Sequence, residues 1–165
     1  MAVLAVAARN KLIIRVDNGP KIKARMRRMK GAKAGYLSET TGGQMPYDKS
    51  DLTLATNAIY QEYGTKKSDG TKHIPARPFM ALAARMFEKS PHTVGRLCRA
   101  YLQGKMTGGA FNDKLGALQA ADIQASLSHG SFEANADATV KAKGSSKPLA
   151  DKGHLRQGVD SIGKR

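Results

Sequence analysis

The sequence predicts an α+β domain: a small, mostly antiparallel sheet packed by helices on one side, with an extended C-terminal segment. Three observations predict it. A short β-branched run stands near the N-terminus, and a second short strand-like run follows before residue 40. Several longer stretches carry apolar residues at helical spacing. From Ser131 the composition shifts to Ala, Lys, Ser, Asn and Asp, with few large aliphatic residues. The expected division is therefore one α+β domain over 1–130 and an extended segment over 131–165. A lone monomer buries such a segment poorly, so neighbouring subunits are expected to order it.

Each element has its own signal. Met1 to Ala8 is small and apolar but lacks the basic start of a signal peptide, and reads as an edge strand or loose arm. Lys11 to Val16 reads as a strand, broken by Asn18-Gly19-Pro20, where Pro20 suits the first turn of a helix. Ile22, Met26 and Met29 form one face of that helix, Pro20 to Lys30, and are expected to pack on the sheet. The remainder is basic, which leaves Arg25 and Arg28 among the exposed charges. Lys33 to Leu37 reads as a second strand, and Ser38 to Ser50 as a loop in which Gly42-Gly43 makes a turn. Asp48 or Ser50 is placed to cap the next helix, with Leu52, Ala55 and Ile59 on its buried face and Gly64 as its stop. Thr65 to His73 reads as a surface loop.

A helix opening at Pro78 buries Phe79, Leu82, Ala83, Met86 and Phe87. Ser90-Pro91 restarts a helix carrying Val94, Leu97, Cys98, Tyr101 and Leu102. Gly108-Gly109 reads as a turn, and Asn112 or Asp113 as the cap of a last helix through Leu115, Leu118, Ile123 and Leu127.

Charge is the unusual bulk property. Lys and Arg number 28 against 13 acids, a net charge of +15 over 165 residues. A field of that size draws polyanions or an acidic protein face, and composition alone leaves both open. No run of 18 apolar residues exists, so no membrane-spanning helix and no membrane partner are expected. The single cysteine, Cys98, excludes an internal disulfide framework and suits a reducing cytoplasm. His73, His92, His129 and His154 have no His or Cys at ligand spacing, so no metal site is expected. The glycines match no phosphate-binding loop and the acids form no obvious pair, so neither a cofactor nor catalysis is expected.

Two blocks carry a resemblance. The first is Asn57-Ala-Ile-Tyr-Gln-Glu-Tyr-Gly-Thr65, followed by His73-Ile-Pro-Ala-Arg-Pro-Phe-Met80. The second is Asn135-Ala-Asp-Ala-Thr-Val-Lys-Ala-Lys-Gly144, then Lys147-Pro-Leu-Ala-Asp-Lys-Gly-His-Leu-Arg156. In order and spacing they resemble the virion-morphogenesis and neck or tail-completion proteins of tailed bacteriophages, and the likeness runs from about Lys33 to Val159. The matched positions are Glu62, Tyr63, Gly64, Ile74, Pro75, Arg77, Pro78, Phe79, Lys143, Gly144, Pro148, Leu149, Asp151, Gly153 and Leu155. Lys152 departs from the family's usual threonine. The chain stops soon after Ile162, so a further terminal strand is expected to be short or missing.

Arg77 lies between two prolines and is expected to fix its loop by pairing with a carboxylate, with Glu62 as the candidate. Tyr63 and Phe79 read as core residues. Gly144 and Gly153 read as turns needing positive φ. Pro148 and Leu149 read as an apolar anchor for a neighbour. The resemblance implies a non-enzymatic homo-oligomeric ring, six-fold or twelve-fold, in the neck of the virion and made in the host bacterial cytoplasm. It would lie between the head-closure or connector proteins and the tail-terminator or tail-tube proteins, touching genomic DNA transiently. The competing expectation is a basic nucleic-acid-binding module, whose support is the charge and the Pro20 to Lys30 helix.

Overall fold

The computed structural model describes residues 2–8, 11–47, 51–150 and 152–165. The fold is α+β. In chain order the elements are β1 (Ala2–Ala8), β2 (Lys11–Asp17), α1 (Gly19–Met26), β3 (Ala32–Gly35), α2 (Thr41–Gln44), α3 (Leu54–Tyr63), β4 (Thr65–Lys66), β5 (Lys72–Ile74), α4 (Phe79–Glu88), α5 (Pro91–Leu102), α6 (Gly108–His129), α7 (Asp137–Lys143), α8 (His154–Gln157) and β6 (Asp160–Gly163). Among the described residues the strand pairing is antiparallel, and the named strands form three two-stranded ribbons: β1 with β2, β3 with β6, and β4 with β5.

The helix signals work through capping as much as through periodicity. Thr53 takes an extended conformation and its hydroxyl accepts from the Thr56 amide at 3.2 Å, which starts α3. The expected caps, Asp48 and Ser50, lie outside the described residues. Thr107 does the same for α6, accepting from Ala110 at 3.2 Å. The long helix therefore begins four residues before the expected Asn112 cap, and Gly108-Gly109 is its first turn. Pro91 occupies the first position of α5, where its missing amide costs nothing. The Ser90 hydroxyl instead donates back to the Met86 carbonyl at 3.2 Å.

The core gathers Leu54 and Ala58 of α3, Phe79 and Ala83 of α4, Ile123 and Leu127 of α6, Leu155 of α8, and Val159. Phe79 is fully buried, as its spacing predicts. On α3 the buried face is Leu54, Asn57 and Ala58 rather than Leu52, Ala55 and Ile59. The helix carries apolar residues on two stripes, and periodicity alone does not choose between them. Ile59, Tyr60 and Tyr63 are left on the outside, so Tyr63, expected in the core, is 78% exposed.

The ribbon of β3 and β6 lies on α6, with Ala32 opposite Gly163 and Gly35 opposite Asp160. Gly116 permits the close approach, since a Cβ there would stand 3.1 Å from the Cβ atoms of both Ala32 and Ser161. Buried Asn112 ties down the ribbon's open end. It accepts from the Gly31 amide at 3.2 Å and donates to the Lys164 carbonyl at 2.7 Å.

Two expectations about the termini are corrected here. The chain has no regular structure over 131–136, but α7, α8 and β6 follow, and Leu155 and Val159 enter the core. The later part of the C-terminal segment, 155–163, is therefore held by contacts with its own chain. Sparse aliphatic content misled because two well-placed residues and one strand suffice to anchor it. The terminal strand is short, four residues. At the other end, α1 does not bury its Ile22, Met26, Met29 stripe on a sheet. It packs beside α5, and Ile22 and Met26 stay exposed.

Tyr36 fastens α8 to this core. Its hydroxyl donates to the Leu155 carbonyl at 2.7 Å, and its ring meets Phe79 edge-on at 6.3 Å between centroids. Two outcomes are expected from this arrangement. A chain ending at Lys152 should lose its cooperative thermal transition, and Leu155→Ala in the full chain should cost about 2–5 kcal/mol in denaturant unfolding. A truncated chain that still melts sharply would contradict the packing described. Burial also raises the Tyr36 phenol above the ordinary tyrosine value. Above about pH 10 the unfolded chain therefore ionises at this position while the folded chain resists. Stability should be full below that pH and decline as pH rises further. Urea midpoints across this range should show a shallower decline for Tyr36→Phe.

Candidate functional site

The two blocks that carry the resemblance meet at one place. β5 leads into Pro75-Ala76-Arg77-Pro78, and the prolines hold this passage extended just before α4. Gly64 lets the passage cross the end of α3. It adopts φ +72°, and a Cβ there would lie 2.7 Å from the Ile74 carbonyl oxygen and 2.8 Å from the Ala76 nitrogen. The Arg77 amide donates to the Gln61 carbonyl at 2.6 Å, which fixes the backbone on α3.

The Arg77 side chain is only 5% exposed. Its Nε donates to the Glu133 carbonyl at 3.0 Å and its Nη1 to Gln61 Oε1 at 2.9 Å. Its Nη2 donates to the Ala134 carbonyl at 3.3 Å and to Asn135 Oδ1 at 3.1 Å. All four acceptors are neutral oxygens. The expected pairing with Glu62 does not occur. Glu62 instead receives the Met80 and Ala81 amides at 2.8 and 3.0 Å, satisfying orphan donors at the positive end of α4. Sequence proximity suggested the acid, whereas α3 turns its neighbour Gln61 toward the arginine. Burial lowers the Arg77 pKa from its ordinary value, and the nearby charge of Glu133 works in the opposite direction. The Glu133 carboxylate itself pairs with Lys72.

Asn135 passes the connection onward. Its Nδ2 donates to the Ser146 and Lys147 carbonyls at 3.3 and 3.2 Å, closing the turn after α7. Gly144 ends α7 at φ +67° and Gly153 precedes α8 at φ +81°, both left-handed as expected. Leu149 also takes a positive φ of 58°, uncommon for a side-chain-bearing residue, and it packs half-buried against the core. It thus packs on the core of its own chain. Asp151, a matched position, lies outside the described residues.

Between these segments lies a cavity of about 270 Å³. Ile74, Pro75, Leu149 and Leu155 give it an apolar wall, and Arg77, His73, His154, Lys143 and Lys152 give it positive or protonatable groups. None of its described lining residues is an acid. Asn57, 6% exposed, also lines it, and its Nδ2 has no hydrogen-bond partner in the structure. Sequence reasoning missed Asn57, Gln61 and Asn135. The only available signal was their position inside the matched blocks.

A second feature is basic. The α1–α5 pairing brings together two stretches without an acid, 18–38 and 89–112. Lys21, Lys23, Arg27 and Arg28 are exposed on or after α1, and Arg96 and Arg99 are exposed on α5. Arg25, expected among the exposed charges, is partly buried. Its Nη1 donates to the Leu102 carbonyl at 2.6 Å, capping the negative end of α5, and its own carbonyl accepts from Tyr101 at 2.8 Å. Arg28 remains exposed as expected.

Among the described residues no cluster of His, Cys, Asp or Glu is placed to hold a metal ion, and no helix is long and apolar enough to cross a membrane. No protein-family model, curated protein or solved structure matches the chain. Replacing Arg77 by Ala should strand several buried acceptors and cost about 1–3 kcal/mol. Limited proteolysis should then cut 131–150 faster than in the parent chain. Unchanged cleavage there would mean that the arginine does not hold the segment.

Proposed function

We propose that this chain is a non-enzymatic structural protein of a tailed bacteriophage, one copy of a homo-oligomeric ring at the neck between head and tail. The observation that carries the reading is the convergence at Arg77. The residues that resemble the neck and tail-completion proteins lie in two blocks far apart in the chain, and they build one clasp. Arg77 donates to Gln61 within the first block and to Asn135 of the second, and Asn135 donates to the carbonyls of Ser146 and Lys147, where the second block's later half begins. Such residues position segments of a rigid adaptor rather than perform chemistry. The uncovered Ile59, Tyr60, Tyr63 face of α3 is consistent with an interface to another subunit.

In this reading six or twelve copies surround the DNA channel, abutting head-closure or connector proteins on one side and tail-terminator or tail-tube proteins on the other. The basic face of α1 and α5 meets an acidic neighbour. Exposed ion pairs are individually weak, about 0–1 kcal/mol, yet together they select a partner. The same face favours the second reading, a nucleic-acid-binding module. A dense ring of arginines on DNA, however, would bind tightly and hold the genome during ejection.

Deleting the gene from its phage is expected to leave full heads and finished tails that do not join, as seen by electron microscopy of the lysate. Normal infectious virions would rule the function out. Reversing exposed Arg27 and Arg28 to Glu should block joining and leave ejection from any joined particles unchanged. Normal joining with altered ejection would place the basic face on DNA. Size-exclusion mass measurement under nuclease treatment should give a ring-sized oligomer free of nucleic acid.

A further inference from the structure

We propose that the cavity between the Pro75–Pro78 passage and the α7–α8 segment is a receptor for a carboxylate carried by an extended segment of a partner protein. Two observations carry it. The first is the chemistry of Arg77. A guanidinium has five N–H donors, and four hydrogen bonds are made, all to neutral oxygens. A buried cation without a bonded anion is costly, and the cavity it lines offers the place where an anion would offset that cost. The second is Asn57, an amide donor more than nine-tenths buried, without a partner, lining the same space. Buried amide donors are nearly always satisfied, so an unpaired one beside a cavity points to a missing acceptor.

The cavity's size and walls select the occupant. About 270 Å³ accommodates a carboxylate on a short stem and excludes a folded element. Ile74, Pro75 and Leu149 suit the methylene groups of an acidic side chain or the last residue of a peptide. A phosphodiester, bulkier and flanked by sugars, finds no such match. The inference draws on the neck reading only for the source of the acid, an abutting protein; carboxylate binding is tested on the isolated chain and can fail or hold independently of head–tail joining.

The test is thermal unfolding of the full chain in sodium acetate, sodium chloride or inorganic phosphate at matched pH and ionic strength. Acetate is expected to raise Tm saturably, by about 3–5 °C at ten times its Kd, with chloride and phosphate doing less. Arg77→Met should abolish the rise. Because that variant is also destabilised, Ala136→Trp provides a second arm: residue 136 is exposed, lines the cavity, and supplies none of the side-chain acceptors of Arg77, so a large side chain there is expected to occupy the space. An equal rise in Ala136→Trp would put the anion elsewhere and overturn the proposal, as would a larger rise with phosphate. Asp48 and Asp151 lie outside the described residues, so the chain carrying both as Asn is measured in parallel. Stabilisation seen only in that variant would mean that the cavity holds the chain's own acid, and the proposal would fail. Two blocked glycine peptides then separate the sources, one with a central aspartate and one with only a free C-terminal carboxylate. Whichever raises Tm in the parent chain but not in Ala136→Trp identifies the form of the acid; no rise with either, against acetate binding, would overturn a peptide partner.

Discussion

A guanidinium taken out of water must find acceptors, and that requirement organises the middle of this protein. Arg77 draws its oxygens from α3 and from the 133–135 passage. The Glu133 and Ala134 carbonyls are free to turn toward one point because the chain after α6 leaves regular structure there. For the arginine to arrive at that point, Pro75 and Pro78 must hold its loop, and Gly64 must let the loop pass within contact of a helix end. Each of these features has a local explanation, but the buried cation is what they have in common.

A second level of order comes from α6. This helix supplies Ile123 and Leu127 to the core from one end and supports the β3–β6 ribbon at the other. Gly116 sets the spacing between helix and ribbon, and Asn112 converts that spacing into a fixed register by bonding to both edges of the ribbon. A two-stranded ribbon alone is marginal in water, so its position on the helix is what gives it stability. The antiparallel pairing and the helical support were both expected; the division into three ribbons was not, because strand propensity says nothing about which strands share a sheet.

What could be read from the sequence followed the physics of each signal. Phe79 and Ala83 are buried as the helical spacing requires, and Gly144 and Gly153 take the left-handed conformations that turns demand. These are local effects. The errors concern choices that only packing makes. Leu54 and Ile59 are equally apolar, and which one faces inward depends on which side of α3 the distant core residues reach. Arg25 looked like one more surface charge in a basic run, yet the end of α5 recruits it as a cap. At the candidate site, the passage around Arg77 was legible from its prolines, whereas Gln61, Asn57 and Asn135 were not. Amide side chains carry no periodicity and no charge, so their roles emerge only when distant segments meet.

The pairing of β6 with β3 also bears on how the protein is made. Residues near 32 cannot complete their ribbon, nor can Leu54 and Phe79 complete their core, until residues 155–163 have been synthesised. A chain still emerging from the ribosome therefore holds its helices without the contact that closes them, and contacts between such distant residues form late. Folding is coupled to chain completion. A prematurely terminated product lacks the closing strand and its share of the core, which leaves its backbone open to proteolysis.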